Sequence, residues 1–132
     1  MKVFIDTNVL ISAVLFPNGT AAAAYCKAVT YPCCGMISEY NIEELYEVFQ
    51  RKFPDKISAL DTFLNTALTS LSLIHMPDTD ADLPNLRDRK DIPILKAAVS
   101  SNADILLTGD KDFTEAGIDH PVILTPADFL LL

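Results

Sequence analysis

The chain has no surplus of positive charge: 10 Lys and Arg stand against 18 Asp and Glu, for a formal net charge of −8. That excludes a generic nucleic-acid coat, because non-specific binding is driven by clustered cations. The basic residues that exist fall largely into Arg51-Lys52 with Lys56, and into Arg87-Arg89-Lys90. Cysteine is scarce and unpaired. Cys26, Cys33 and Cys34 form an odd set with neither CxxC spacing nor a nearby histidine, which excludes a zinc site and leaves buried or incidental thiols. His75 and His120 are single histidines without sequence partners. No apolar run approaches the roughly 20 residues needed to cross a bilayer. Asp6 interrupts the early apolar stretch that a signal peptide would need, so a cytoplasmic protein with no membrane contact is expected. Repeats and low-complexity linkers are lacking too.

What is there is a chain of 132 residues, half of them hydrophobic. That length suits a single domain over 1–132, burying roughly two thirds of its unfolded surface in one core. Residues 2–6 read as a strand, followed by a helix through Val9, Leu10, Ala13 and Val14 that ends before Phe16-Pro17-Asn18-Gly19. Thr20 opens an alanine-rich helix to about Val29, and Gly35-Met36-Ile37 is a short buried strand. Ser38 is a good N-cap for a helix to about Lys52, whose Ile42, Leu45, Tyr46, Phe49 and Phe53 make one apolar stripe. Ile57 to Leu71 traces another amphipathic helix, and Leu73 to Met76 fits either a strand or the frayed end of that helix. A polar loop from Pro77 to Lys90 precedes a helix from Ile92 to about Ser101. Strands at 105–108 and 122–124 and a short helix from Pro126 complete the chain. This alternation predicts an α/β fold: a parallel twisted sheet flanked by helices on both faces, a three-layer sandwich.

Parallel strands deliver their C-terminal ends to one edge, where ligands of open α/β sheets bind. Asp6 ends the first strand, Asp110 follows the strand at Ile105, Asp91 precedes the helix at Ile92, and Glu43 or Glu44 lies in the helix after the second strand. Alone, Asp6 or Asp91 could be only a helix cap, and Thr108-Gly109-Asp110-Lys111-Asp112-Phe113 an ordinary turn. Jointly they sit at topologically equivalent junctions. Two carboxylates about 4 Å apart repel by roughly 1 kcal/mol in water and about 4 at an effective dielectric of 20, so convergence calls for a proton or a cation. An oxygen-only set favours Mg²⁺ or Mn²⁺ over zinc.

The residues at these junctions resemble the PIN domain family, and within it the VapC-like toxins of toxin–antitoxin systems. The resemblance covers nearly the full length. It rests on Phe4-Ile5-Asp6-Thr7-Asn8-Val9-Leu10; on Ser38 with Glu43-Glu44-Leu45; on Arg87-Asp88 and Asp91 leading into Leu95-Lys96-Ala97-Ala98; and on Ala103 to Asp112. It implies a metal-dependent ribonuclease whose acidic quartet is Asp6, Glu44, Asp91 and Asp110. Metal would be held by Asp6, Asp91, Asp110 and Asp112, with Asn8 and Thr108 as polar supports and Glu43 and Asp88 as alternative acids. RNA would be gripped by the basic residues nearest the acids: Arg87, Arg89, Lys90, Lys96 and Lys111. Relatives of this kind form homodimers and are blocked by an antitoxin. So acidic a chain implies weak RNA affinity, strong metal dependence or a basic partner.

Two other readings compete. A PIN-like fold without turnover would serve as an RNA-binding or scaffold protein, although every quartet position is acidic here. A phosphatase of the haloacid dehalogenase type also places an aspartate after its first strand, but Asn8 stands where a second acid is usual, and the chain is short for that fold.

Overall fold

The computed structural model describes residues 1–75 and 92–132. Five strands, β1 (Lys2–Ile5), β2 (Cys34–Ser38), β3 (Ser72–Ile74), β4 (Ile105–Leu107) and β5 (Val122–Leu124), form one sheet in the order β3-β2-β1-β4-β5. Every pairing is parallel. The helices are α1 (Thr7–Leu15), α2 (Thr20–Ala28), α3 (Glu39–Lys52), α4 (Ile57–Ser70), α5 (Ile92–Ser100), α6 (Lys111–Thr114) and α7 (Pro126–Leu130), with a 3₁₀ turn at Pro54–Lys56. The segment at Leu73 resolves as a strand, pairing Ile37 with Leu73. None of these helices alone is long and apolar enough to cross a membrane.

Successive strand residues point to opposite faces, so a sheet covered on both sides needs apolar residues at every position. β1 shows this directly. Val3 and Ile5 pack with Leu45, Phe49, Leu60 and Phe129 on one face, while Phe4 packs with Ile94, Leu95, Leu106 and Phe113 on the other. Gly35 sits where β2 passes close to α2 and α4. An added Cβ would come within 2.9 Å of Leu71 Cδ2 and 3.1 Å of Val29 Cγ1, so the close approach needs glycine.

The start of α3 carries a buried polar bracket. Ser38 and Asn41 form a capping box: the Ser38 N–H and hydroxyl both donate to Asn41 Oδ1 at 2.8 Å. Asn41 Nδ2 then donates to Ile5 O at 3.2 Å and to Thr7 Oγ1 at 3.0 Å. A side chain on α3 thus satisfies the end of β1 and the first turn of α1, which fixes how α3 is rotated over the sheet edge.

Three details sharpen or correct the sequence expectations. Cys26 and Cys34 are exposed free thiols, the incidental rather than the buried alternative, while Cys33 is half-buried and packs against the core. His75 has a partner, since its Nδ1 meets Glu39 Oε1. Lys111–Thr114 is a helix where a turn was expected, capped by the Asp110 side chain, which accepts from Asp112 N at 2.9 Å.

Candidate active site

β1 and β4 are adjacent and in register, Ile5 opposite Leu107, so one step further Asp6 meets Thr108. The Asp6 N–H continues the ladder to Leu107 O at 2.9 Å. The side chains meet as well: Thr108 Oγ1 donates to Asp6 Oδ2 at 2.7 Å and accepts from the Asp110 N–H at 3.0 Å. Thr108 is fully buried, and Asp6 is only 4% exposed. Although Asp6 holds the N-cap position of α1, its side chain makes no capping hydrogen bond, so helix capping does not account for this acid.

Asp6, Glu44 and Asp110 line one cleft of about 440 Å³ at the C-terminal edge of the sheet. Burial pushes the Asp6 carboxyl from its ordinary 3.8 up to about 6. The Thr108 hydroxyl and the Thr7 backbone pull it down, while the nearby charges of Glu44 and Asp110 push it further up. Glu44 reaches the cleft because α3 turns the flank bearing Tyr40, Glu44 and Val48 away from its buried Asn41-Leu45-Phe49 line. Tyr40 Oη donates to Glu44 Oε2 at 3.4 Å. Glu43, one residue earlier, is exposed and does not line the cleft.

Asn8 is exposed at the start of α1 and lines the cleft with the three acids. Asp112 contributes its backbone N–H to Asp110, but is not among the cleft residues. Asp91 and Asp88, and the cations Arg87, Arg89 and Lys90, lie outside the described residues. Lys111 lines the hollow next to the cleft, and the half-buried Lys96 on α5 lines neither.

Among the described residues the cations that line the cleft are Arg51 and Lys52, which the sequence reasoning did not assign to the site. The signal was present. They lie seven and eight residues after Glu44 on one helix, which returns them to its face after two turns. Asn41 was missed as well, because the third position of a capping box is ordinarily Glu or Gln.

Among the described residues the charged donors offered are carboxylate oxygens with no sulfur or imidazole, the chemistry of a hard divalent cation. Among the described residues no three Asp, Glu, His or Cys side chains are gathered closely enough to cage an ion by themselves.

A family model described as PIN domain matches residues 2–112. An uncharacterized protein of Methanocaldococcus jannaschii is 32% identical over 144 residues, spanning 98% of this chain and 90% of that protein. The fold is similar to VapBC2 from Rickettsia felis, solved bound to a DNA fragment from its promoter: TM-score 0.67, 18% identity, 95% of this chain and 98% of that one. It is also similar to DNA-bound VapBC from Salmonella typhimurium, with TM-score 0.68, 16% identity and coverage of 96% and 98%.

Proposed function

The chain belongs to the PIN domain family, and from that premise we propose that it is a Mg²⁺- or Mn²⁺-dependent endoribonuclease. The observation that carries this is the cleft itself: a buried Asp6, raised to about 6, facing Glu44 and Asp110 beside Arg51 and Lys52. A carboxylate destabilised by burial and like charges gains most from a cation, which reverses the shift. Asp6, Asp110 and Asp91 would hold it and Glu44 would complete the quartet, with Asp112 a further acid on the Asp110 side. Bound there, a divalent cation supplies Lewis-acid polarisation of the phosphate and lowers the pKa of water.

The chain's own residues do the rest. Thr108 holds one Asp6 oxygen in place at the cleft. Arg51 and Lys52 offset the repulsion that three carboxylates exert on a phosphodiester, and so answer how an acidic chain admits RNA at this point. Lys111 extends that support to the adjoining hollow. No side chain needs to act as a covalent nucleophile.

The resemblance to VapC-like toxins and the fold shared with the VapBC structures support a toxin role with an antitoxin protein as partner; a homodimer is implied by the resemblance alone. The test is to titrate Mn²⁺ into the wild type and Asp6→Asn while following cleavage of several single-stranded RNAs. Metal-dependent cleavage by the wild type alone is expected. No cleavage of any RNA would leave a scaffold role, and equal cleavage by both proteins would mean the activity is a contaminant.

A further inference from the structure

The rim that carries the acidic cleft also carries two more depressions. The cleft shares Asn8 and Asp110 with a hollow of about 580 Å³, and that hollow shares Ser12, Ala21 and Pro126 with a third of about 440 Å³, which reaches Phe16. The shared residues place the three side by side along α1, in series as a stepped trough.

Charge falls away along it. Among the described residues the cleft holds three acids and two cations, the middle hollow Asp110 and Lys111, and the far depression no ionisable side chain. In a chain of net charge −8, a polyanion leaving the cleft this way meets, among the described residues, no further lining carboxylate beyond Asp110. Phe16 stands at its end as the C-cap of α1, its N–H bonded to Ser12 O at 2.8 Å, the residue 65% exposed. An exposed ring on an uncharged wall is what base stacking requires, because every base presents a π face whatever its sequence.

We infer that a nucleobase of the substrate strand, away from the scissile linkage, stacks on Phe16, the strand running from the acidic cleft past Asn8 and Lys111 along α1. The inference rests on the proposed nuclease activity and narrows it. The substrate is single-stranded through the trough, since a base paired in a duplex already has its faces stacked. Exposure alone does not single out Phe16. Tyr31 is 93% exposed, but it lines a separate cavity with Met1 and Cys33, at the opposite ends of the strands, that shares no residue with the trough.

The experiment compares Mn²⁺-dependent cleavage of two single-stranded RNAs with a common cut site, one short enough to fill only the cleft and one extended past it on both sides. Wild type, Phe16→Leu, Phe16→Tyr and Tyr31→Leu are measured, each checked for folding by thermal melt. Phe16→Leu should raise KM on the long RNA roughly ten-fold; Phe16→Tyr should restore it, and Tyr31→Leu should match wild type. KM on the short RNA and kcat on both should stay unchanged. An equal rise on both RNAs, or none on the long one, overturns the stacking assignment, and a duplex cut as fast as the single strand overturns the strandedness. Should wild type cut neither RNA, the nuclease reading fails. Fluorescence anisotropy of the long RNA then decides on Phe16, with equal affinity for wild type and Phe16→Leu counting against it.

Discussion

Thr108 and Asp6 lie 102 residues apart in the chain, yet their side chains form a buried hydrogen bond of 2.7 Å across two neighbouring central strands. The hydroxyl proton points at the carboxylate because the oxygen's other side accepts from the Asp110 N–H. One threonine therefore orients one acid and positions the loop that bears another.

Thr108→Val keeps the shape and removes both bonds. Leaving a buried carboxylate without its donor costs about 1 to 3 kcal/mol, so urea denaturation should show a loss of that size, and the Asp6 carboxyl should titrate higher still. Thr108→Ser should recover most of both. A Val variant as stable as wild type would show that the bond does little.

Asp6 itself makes the metal-free fold pH-sensitive, and the sign follows from its raised pKa. Between 3.8 and about 6 the folded state holds a proton that the unfolded state has released, so stability falls as pH rises through that window. A shift of this size corresponds to about 3 kcal/mol. In the presence of a chelator, Asp6→Asn should lack that portion of the decline and be the more stable protein at neutral pH. Adding Mn²⁺ should raise the Tm of wild type and not of the variant. Parallel pH profiles for the two proteins would contradict this.

The bracket at Asn41 predicts a large loss for a residue that no stability scale would single out. Asn41→Ala orphans the Ser38 hydroxyl and N–H, the Ile5 carbonyl and the Thr7 hydroxyl in a site with no exposure. We expect about 2 to 4 kcal/mol in chemical denaturation, more than the ~1 kcal/mol typical of losing one cap. A loss no greater than that of Ser38→Ala would mean the links to β1 and α1 are dispensable.

Two adjacent glutamates give a paired test of the site. Glu44→Gln should lower Mn²⁺-dependent RNA cleavage by about 10²-fold or more, a magnitude ordinary for removing one group that stabilises transition-state charge, whereas Glu43→Gln should leave the rate unchanged. Arg51→Ala should raise KM and weaken the salt dependence of binding, as expected when one phosphate contact is lost. Similar rates for the two Gln variants would remove Glu44 from the proposed quartet.

The strands were legible because a sheet buried on both faces leaves uninterrupted apolar runs such as Val3-Phe4-Ile5 and Ile105-Leu106-Leu107, and their shared polarity brings Asp6 and Asp110 to one rim. Glu44 was harder. Periodicity placed it opposite the apolar stripe of α3, which would face solvent on a simple surface helix, but α3 lies at the sheet's end and part of its polar flank becomes the wall of a cleft. Asn41 was illegible for a different reason: its partners Ile5 and Thr7 belong to β1 and α1, and no local pattern encodes a bond between elements. The α6 helix was too short to show a period, being one turn held by Asp110.

The strand order carries a consequence for how the protein is made. Of the five described strands the first to be synthesised, β1, becomes the middle of the finished sheet, and one of its two neighbours, β4, is the fourth. At about 5 to 20 residues per second, roughly 5 to 20 seconds separate Asp6 from Asp110 during translation. Until then the loop bearing Asp110 is missing and Asp6 has no Thr108 to hold it. An enzyme with the proposed activity, born beside the very polymer it cuts, stays harmless for most of its own synthesis.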